Sequence, residues 1–259
     1  MAQILINKHY DRPSTFDAAN LLREARRQKQ VPPGKVPDIC VLDPDGDLSR
    51  HLRDSGSLRN PYWACYHTEL YDLDVDGERV GVLGCAVGAS FAVLVAEELF
   101  ASGCQLLVSI TSAGQIVPAG KPPYFVLIDR ALRDEGTSYH YLPPAPYASI
   151  PQEMLALGRE LLRDNPGMVQ GGVWTTDAPF RETKKAIEFA RSEGLLAVEM
   201  EAAALYTFAE VKSQPVICFA HVTNQMATVE NDFEKGEAGG NTAMTDLIAK
   251  VTRLWRATR

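Results

Sequence analysis

The chain has 259 residues, with 26 Lys and Arg against 33 Asp and Glu, a formal charge of −7 at pH 7. Hydrophobic residues make up 46% and charged residues 23%, a globular composition that excludes a disordered chain. The acidic balance disfavours a protein built to coat nucleic acid, and no run of about 18 apolar residues is present to span a membrane.

The stretch 1–13 lacks the apolar core of a secretory signal, so the expected location is cytoplasmic. Residues 1–37 read as an N-terminal extension and 38–259 as one domain. The extension holds an amphipathic helix over Phe16–Gln30, capped by Asp17 or Ser14 and stopped by Val31-Pro-Pro-Gly34. Its basic residues suit a surface or a subunit contact. A strand, Asp38–Leu42, meets the turn Asp43–Asp47 and a helix over Leu48–Ser55. Strands over 62–75 and Val80–Cys85, joined by Asp76-Gly77, predict a hairpin. Gly84–Ser90 then leads into the apolar helix Phe91–Ala101. This loop is either a ligand cradle or a plain tight turn, because it lacks the Lys of a P-loop.

Further along, strands are expected at Gln105–Ile110, Tyr124–Asp129, Val169–Thr175, Leu195–Val198 and Val216–Val222. Helices are expected at Met154–Asp164, Lys184–Glu193, Ala202–Val211 and Thr242–Thr258, with Leu142–Pro146 and Asn224–Asn241 as loops. The alternation predicts a three-layer α/β/α fold around a central mixed sheet. Five scattered cysteines without a CxxC pair read as buried reduced thiols. The five histidines show no metal-ligand spacing, so no metal is expected.

In such a sheet the ligand site lies at the carboxyl ends of the strands. Asp43, Asp45 and Asp47 follow the first strand. Thr111, Ser112 and Gly114 follow Gln105–Ile110, and Thr176, Asp177, Phe180 and Arg181 follow Val169–Thr175. Glu199, Met200 and Glu201 follow Leu195–Val198, and Thr223, Asn224 and Gln225 follow the last strand. Carboxylates, amides, hydroxyls, one ring and one Arg suit a small polar ligand with a flat ring. Glu199 and Glu201 themselves read two ways, as acid/base or hydroxyl-binding groups or as charges complementing a helix N-terminus.

Ala197-Val-Glu-Met-Glu-Ala-Ala-Ala-Leu205 resembles the signature of the nucleoside phosphorylase family, which includes uridine phosphorylase, bacterial purine nucleoside phosphorylase and methylthioadenosine nucleosidases. Ser109–Ile116, Thr175–Glu182 and Val216–Asn224 are similar to that family's sugar/phosphate, base-pocket and base-contact segments. The likeness runs in order over about 38–255 and is greatest to uridine-phosphorylase-like members. It implies cleavage of a nucleoside N-glycosidic bond, with no metal or redox cofactor and phosphate as a possible co-substrate. Carried over, Glu201 would bind the ribose hydroxyls, Met200 would pack on the sugar and Glu199 would support the pocket. Phe180 would stack on the base and Asn224 would address it, with Gln225 and Arg181 as candidates for its edge. His9 would reach a neighbouring subunit's sugar. Relatives form dimers or hexamers, so a homo-oligomer is expected.

The pattern departs at the phosphate. A Gly-Asp-Pro-x-Arg loop would hold it, yet Leu42 stands for the Gly and Gly46 for the Arg. Ser109 stands where a second Arg is expected, whereas Thr111 and Ser112 keep that segment's place and Ser112 its hydroxyl. The sequence reading is phosphorolysis, with phosphate held by Arg50, Arg53 or Arg59 or by an Arg of a neighbouring subunit; the alternatives are a nucleosidase that uses water and a non-catalytic nucleoside-binding protein.

Overall fold

Nine strands and seven α-helices alternate along the described residues of the computed structural model, 3–226, 230 and 232–259. Helix α1 (Ala18–Lys29) precedes β1 (Ile39–Asp43) and α2 (Asp47–Asp54). The hairpin β2 (Leu70–Val75) and β3 (Glu78–Gly84) leads to α3 (Ala89–Ala101). Then follow β4 (Leu106–Gln115), β5 (Tyr124–Asp134), β6 (Tyr147–Ser149), α4 (Gln152–Arg163), β7 (Val169–Thr176) and α5 (Lys184–Ser192). The chain ends with β8 (Ala197–Glu199), α6 (Ala202–Lys212), β9 (Val216–Asn224) and α7 (Asn241–Ala257).

The strands form one mixed sheet in the order β2-β3-β1-β4-β8-β7-β5-β6. Strand β9 lies off this path and pairs with both β4 (parallel) and β5 (antiparallel), which closes β4, β8, β7, β5 and β9 into a ring. Long strands make this possible. Irregularities at Ala113/Gly114 in β4 and at Ile128/Arg130 in β5 bend each strand, so that its two halves serve different neighbours. Helices α1, α3 and α6 pack as one group against the sheet, and α2, α4 and α7 as another.

Two elements fill the centre. All nine residues of β9 are buried, as a strand covered on both faces should be. Helix α6 is buried all round from Ala202 to Ala209, which matches its apolar, Ala-rich sequence. Its one large polar tip is satisfied, because the Tyr206 hydroxyl donates to the Ile128 carbonyl (2.6 Å) and accepts from the Cys218 amide (3.1 Å). No described helix is long and apolar enough to cross a membrane.

Several sequence boundaries are corrected. Residues 62–69 are not strand; only Leu70–Val75 pairs with β3. Strand β4 does not stop at Ile110, because Thr111–Gln115 pair with β9 and β8, and β5 likewise runs on to Asp134. Strand β8 is shifted to include Glu199, β9 includes Thr223 and Asn224, and β6 was not foreseen. Part of the expected loop Asn224–Asn241, residues 227–229 and 231, lies outside the described residues. Helix α1 starts at Ala18, two residues after the expected Phe16, because Asp17 caps it by accepting from the Asn20 amide (2.7 Å). Leu22 and Ala25 of α1 bury themselves against Ala64, and Arg26 donates to the Tyr62 carbonyl, so α1 rests on the domain.

Candidate active site

The Glu199/Glu201 pair sits where β8 ends and α6 begins, and the two carboxylates have different surroundings. Glu199 points back into the protein. One of its oxygens accepts from the amides of Glu201 (2.7 Å) and Ala202 (2.8 Å), the orphan donors of the α6 N-terminus, and the other accepts from the Thr175 hydroxyl. Burial pushes its carboxyl up to about 7 despite these donors.

Glu201 turns the other way. Its Oε1 accepts from the Gly88 amide (2.7 Å) and its Oε2 from the Thr111 hydroxyl (2.9 Å). Gly88 is the N-cap of α3, with φ 90. The Gly/Ser loop therefore cradles a carboxyl group, and that group is a side chain of the same protein. Glu201 is 1% exposed, and burial together with the charge of Glu199 raises its pKa to about 8. The charge of Asp45 adds to that rise, which places the turn after β1 within electrostatic reach of Glu201.

That turn is acidic, and two of its three carboxylates are ion-paired. Asp43 is buried and accepts from the amides of Gly46 (3.1 Å) and Ser49 (2.9 Å), and burial lifts its pKa to about 6. Asp47 binds Arg50 (2.7 Å) and Lys235, and Lys235 also binds Asp45 (3.2 Å). Burial of Asp47 is outweighed by these bonds, and its pKa falls. Gly46 stands at φ 78, where a Cβ would come within 2.4 Å of Cys85 Sγ and 2.7 Å of Arg50 Nη1. The place where an Arg was expected is thus filled by the Arg50 guanidinium reaching back from α2. Ser109, the second expected Arg position, is buried beside Leu42 in the sheet.

At the ends of β4 and β9, Ser112 Oγ and Thr223 Oγ1 lie 3.5 Å apart. Asn224 donates to Thr223 Oγ1 (3.2 Å) and to the Ala113 carbonyl (3.4 Å), and accepts from the Met226 amide (2.8 Å). His221, on the same strand, stacks on Phe125 (4.5 Å between ring centres), and burial lowers its pKa to about 4. Gln225 lines an open cavity of about 590 Å3 with Gln115, Lys184 and Met226, and its amide donates to the Asp232 carboxylate.

The structure thus draws Glu199, Glu201, Thr111 and the Asp43–Asp47 turn into one bonded and charge-coupled group, and Ser112, Thr223 and Asn224 into another on adjacent strands. Met200, between the two glutamates, is partly buried. The remaining expected residues stand apart from this group. Phe180 is 100% exposed in a short 3-10 turn, Pro179–Arg181, and Arg181 is exposed beside it. Within its own chain His9 lines a cavity of about 430 Å3 against Glu97 and His140. Glu97 lies eight residues beyond the start of α3, roughly 12 Å along the helix axis. Sequence reasoning held Gly88 only as part of the Gly84–Ser90 loop and Thr175 only as the start of the base-pocket segment, without their partners, and missed Lys235. Lys235 did carry a signal, as the one basic residue within Asp232–Glu237. Among the described residues no group of three or more His, Cys, Asp or Glu is arranged to hold a metal ion.

A family model described as "Phosphorylase superfamily" matches residues 39–256. An uncharacterized protein of Acanthamoeba polyphaga mimivirus is 30% identical over 161 residues, 62% of this chain and 60% of that protein's length. A DeoD-type purine nucleoside phosphorylase of Clostridium novyi is 25% identical over 180 residues, 68% of this chain and 76% of the relative. Among solved structures, uridine phosphorylase from Vibrio fischeri superposes with a TM-score of 0.72 at 18% identity, covering 85% of this chain and 92% of that one. AMP nucleosidase from Bacteroides thetaiotaomicron gives a TM-score of 0.69 at 17% identity, covering 86% and 91%.

Proposed function

The chain belongs to the phosphorylase superfamily, and we propose that it cleaves the N-glycosidic bond of a nucleoside with water as the acceptor of the sugar. The reading rests on one observation above all. The cations that reach the end of β1, Arg50 and Lys235, are bonded to Asp47 and to Asp45 and Asp47, so the turn offers carboxylates where a phosphate would need open donors.

The chemistry follows from the charges. As the bond from C1′ to the base nitrogen lengthens, positive charge grows on the sugar and negative charge on the base. Burial and the charge of Glu199 keep the proton on Glu201 up to about pH 8; its deprotonated form stabilises the sugar cation, and burial strengthens that attraction. Water adds its oxygen to C1′ and gives up one proton. Asp45, whose Oδ2 accepts from Lys235 Nζ (3.2 Å), takes that proton. The departing base leaves with the electron pair of the broken bond and is protonated from solvent. Phe180 would cover the base, and Asn224 and Gln225 would meet its edge. Pockets completed across a homo-oligomer would account for the bare ring of Phe180.

Phosphorolysis is the second reading. It is favoured by the Arg50 guanidinium, which fills the space beside Gly46. The test is base release from uridine, thymidine, inosine, adenosine and methylthioadenosine, with and without phosphate. Equal rates with free sugar as product support hydrolysis. Strictly phosphate-dependent release of sugar 1-phosphate overturns it, and binding without any turnover would make the protein a nucleoside sensor.

A further inference from the structure

Both oxygens of Glu201 are held before any sugar arrives, Oε1 by the Gly88 amide and Oε2 by the Thr111 hydroxyl. A carboxylate offers about four lone-pair positions, two on each oxygen. One is taken on each side, so one remains on each. A pair of hydroxyls on adjacent sugar carbons uses both remaining positions; a single hydroxyl leaves one acceptor buried and unfilled, which is unfavourable.

We propose that Thr111 is a positioning residue that fixes the orientation and ionisation of Glu201, and through it selects sugars carrying a vicinal pair of hydroxyls. The inference rests on the reading of Glu201 as the sugar-facing carboxylate. Thr111 is suited to this role: it is 5% exposed, its backbone is fixed on β4 by the register Thr111↔Ala220, and its hydroxyl lies nearer the Glu201 carboxyl (2.9 Å) than its other acceptor, the Ser112 carbonyl (3.4 Å). The charged groups acting on Glu201 are Glu199 from β8 and Asp45 from the turn after β1, while the Cys218 thiol on β9 is held neutral by its burial and by the charges of Glu199 and Glu201. Glu199 and Asp45 oppose its ionisation. The Gly88 amide and Thr111 favour it, and of these two only Thr111 is a side chain open to substitution.

The test uses the full chain with matched ribo- and 2′-deoxyribonucleosides, in the wild type, Thr111→Val and Thr111→Ser, with kcat/KM measured from pH 6 to 10. Valine keeps the shape and removes the donor. The wild type should prefer the ribonucleoside by about tenfold or more, the scale of one hydrogen bond to a charged group. In T111V that preference should shrink and the acidic limb of the profile should move to higher pH, so that activity falls further at pH 7 than at pH 9. T111S should restore both. An active wild type with an unchanged ratio and profile in T111V overturns the inference alone. A wild type that releases no base from any nucleoside overturns the reading beneath it as well. Melting curves of the variants separate loss of fold from loss of the hydroxyl.

Discussion

The amide of Gly88 donates to the carboxylate of Glu201 at 2.7 Å across 113 positions of sequence. This bond joins the N-terminus of α3 to that of α6, since Glu201 is itself the N-cap residue of α6. Two positive helix ends therefore converge near one buried carboxylate. That favours its charge, while burial and Glu199 oppose it. The balance sets both chemistry and stability.

Glu201→Gln should lower base release by about 10²–10³-fold, the scale of losing one preorganised electrostatic contact. It should also change the pH dependence of folding. In the folded chain Glu201 keeps its proton up to about pH 8, against a reference value of 4.5. Between these values the folded state binds more protons than the unfolded state, so raising the pH favours unfolding. Its stabilising contribution, full below 4.5, fades as pH rises through 8. Melting temperature should fall across pH 5.5 to 8 in the wild type and fall less in E201Q; parallel curves would refute the assignment.

Glu199→Ala should act first on the fold. It strips an acceptor from the Glu201 and Ala202 amides and from the Thr175 hydroxyl, all buried. Orphaned buried donors cost about 1–3 kcal/mol each, so a loss of roughly 3 kcal/mol is expected. In a domain of this size that is about 6–12 °C of melting temperature. A shift under 2 °C would show that Glu199 does not hold the first amides of α6.

The double variant Asp45→Asn, Asp47→Asn should release Lys235 and Arg50 from their carboxylates. Titration calorimetry should then detect inorganic phosphate binding that the wild type lacks, while hydrolysis is lost with the Asp45 base. Phosphate binding of equal strength in both proteins would favour phosphorolysis instead.

Much of this was legible in the sequence, and the failures have physical causes. The Asp17 cap and the proline stop marked α1 because capping is local chemistry. The Glu-Met-Glu segment was found because a strand end and a helix start meet there. Strand β4 was cut short at Ile110 because Thr111, Ser112 and Gly114 read as a turn; only pairing with β9 and β8, far away in sequence, makes them strand. The ligand of the Gly/Ser loop was unreadable for the same reason, since its partner lies 113 residues on. Glu201 and Glu199 looked alike in sequence, and only the structure separates the helix cap from the carboxylate facing α3 and β4.

The two halves of the site come from different stretches of chain. Gly88, Thr111, Glu199 and Glu201 form one half, and the turn from Asp43 to Arg50, with Lys235 arriving from ahead of α7, forms the other. The halves meet through charge, since Asp45 opposes the ionisation of Glu201, so rewriting the turn also retunes the carboxylate. On the proposed reading, one short turn and one distant lysine set the acceptor, while the bonds that hold Glu201 come from other stretches of chain. For protein engineering, positions 43–50 and 235 form a natural library in which new nucleophiles could be selected against a fixed glycosyl donor.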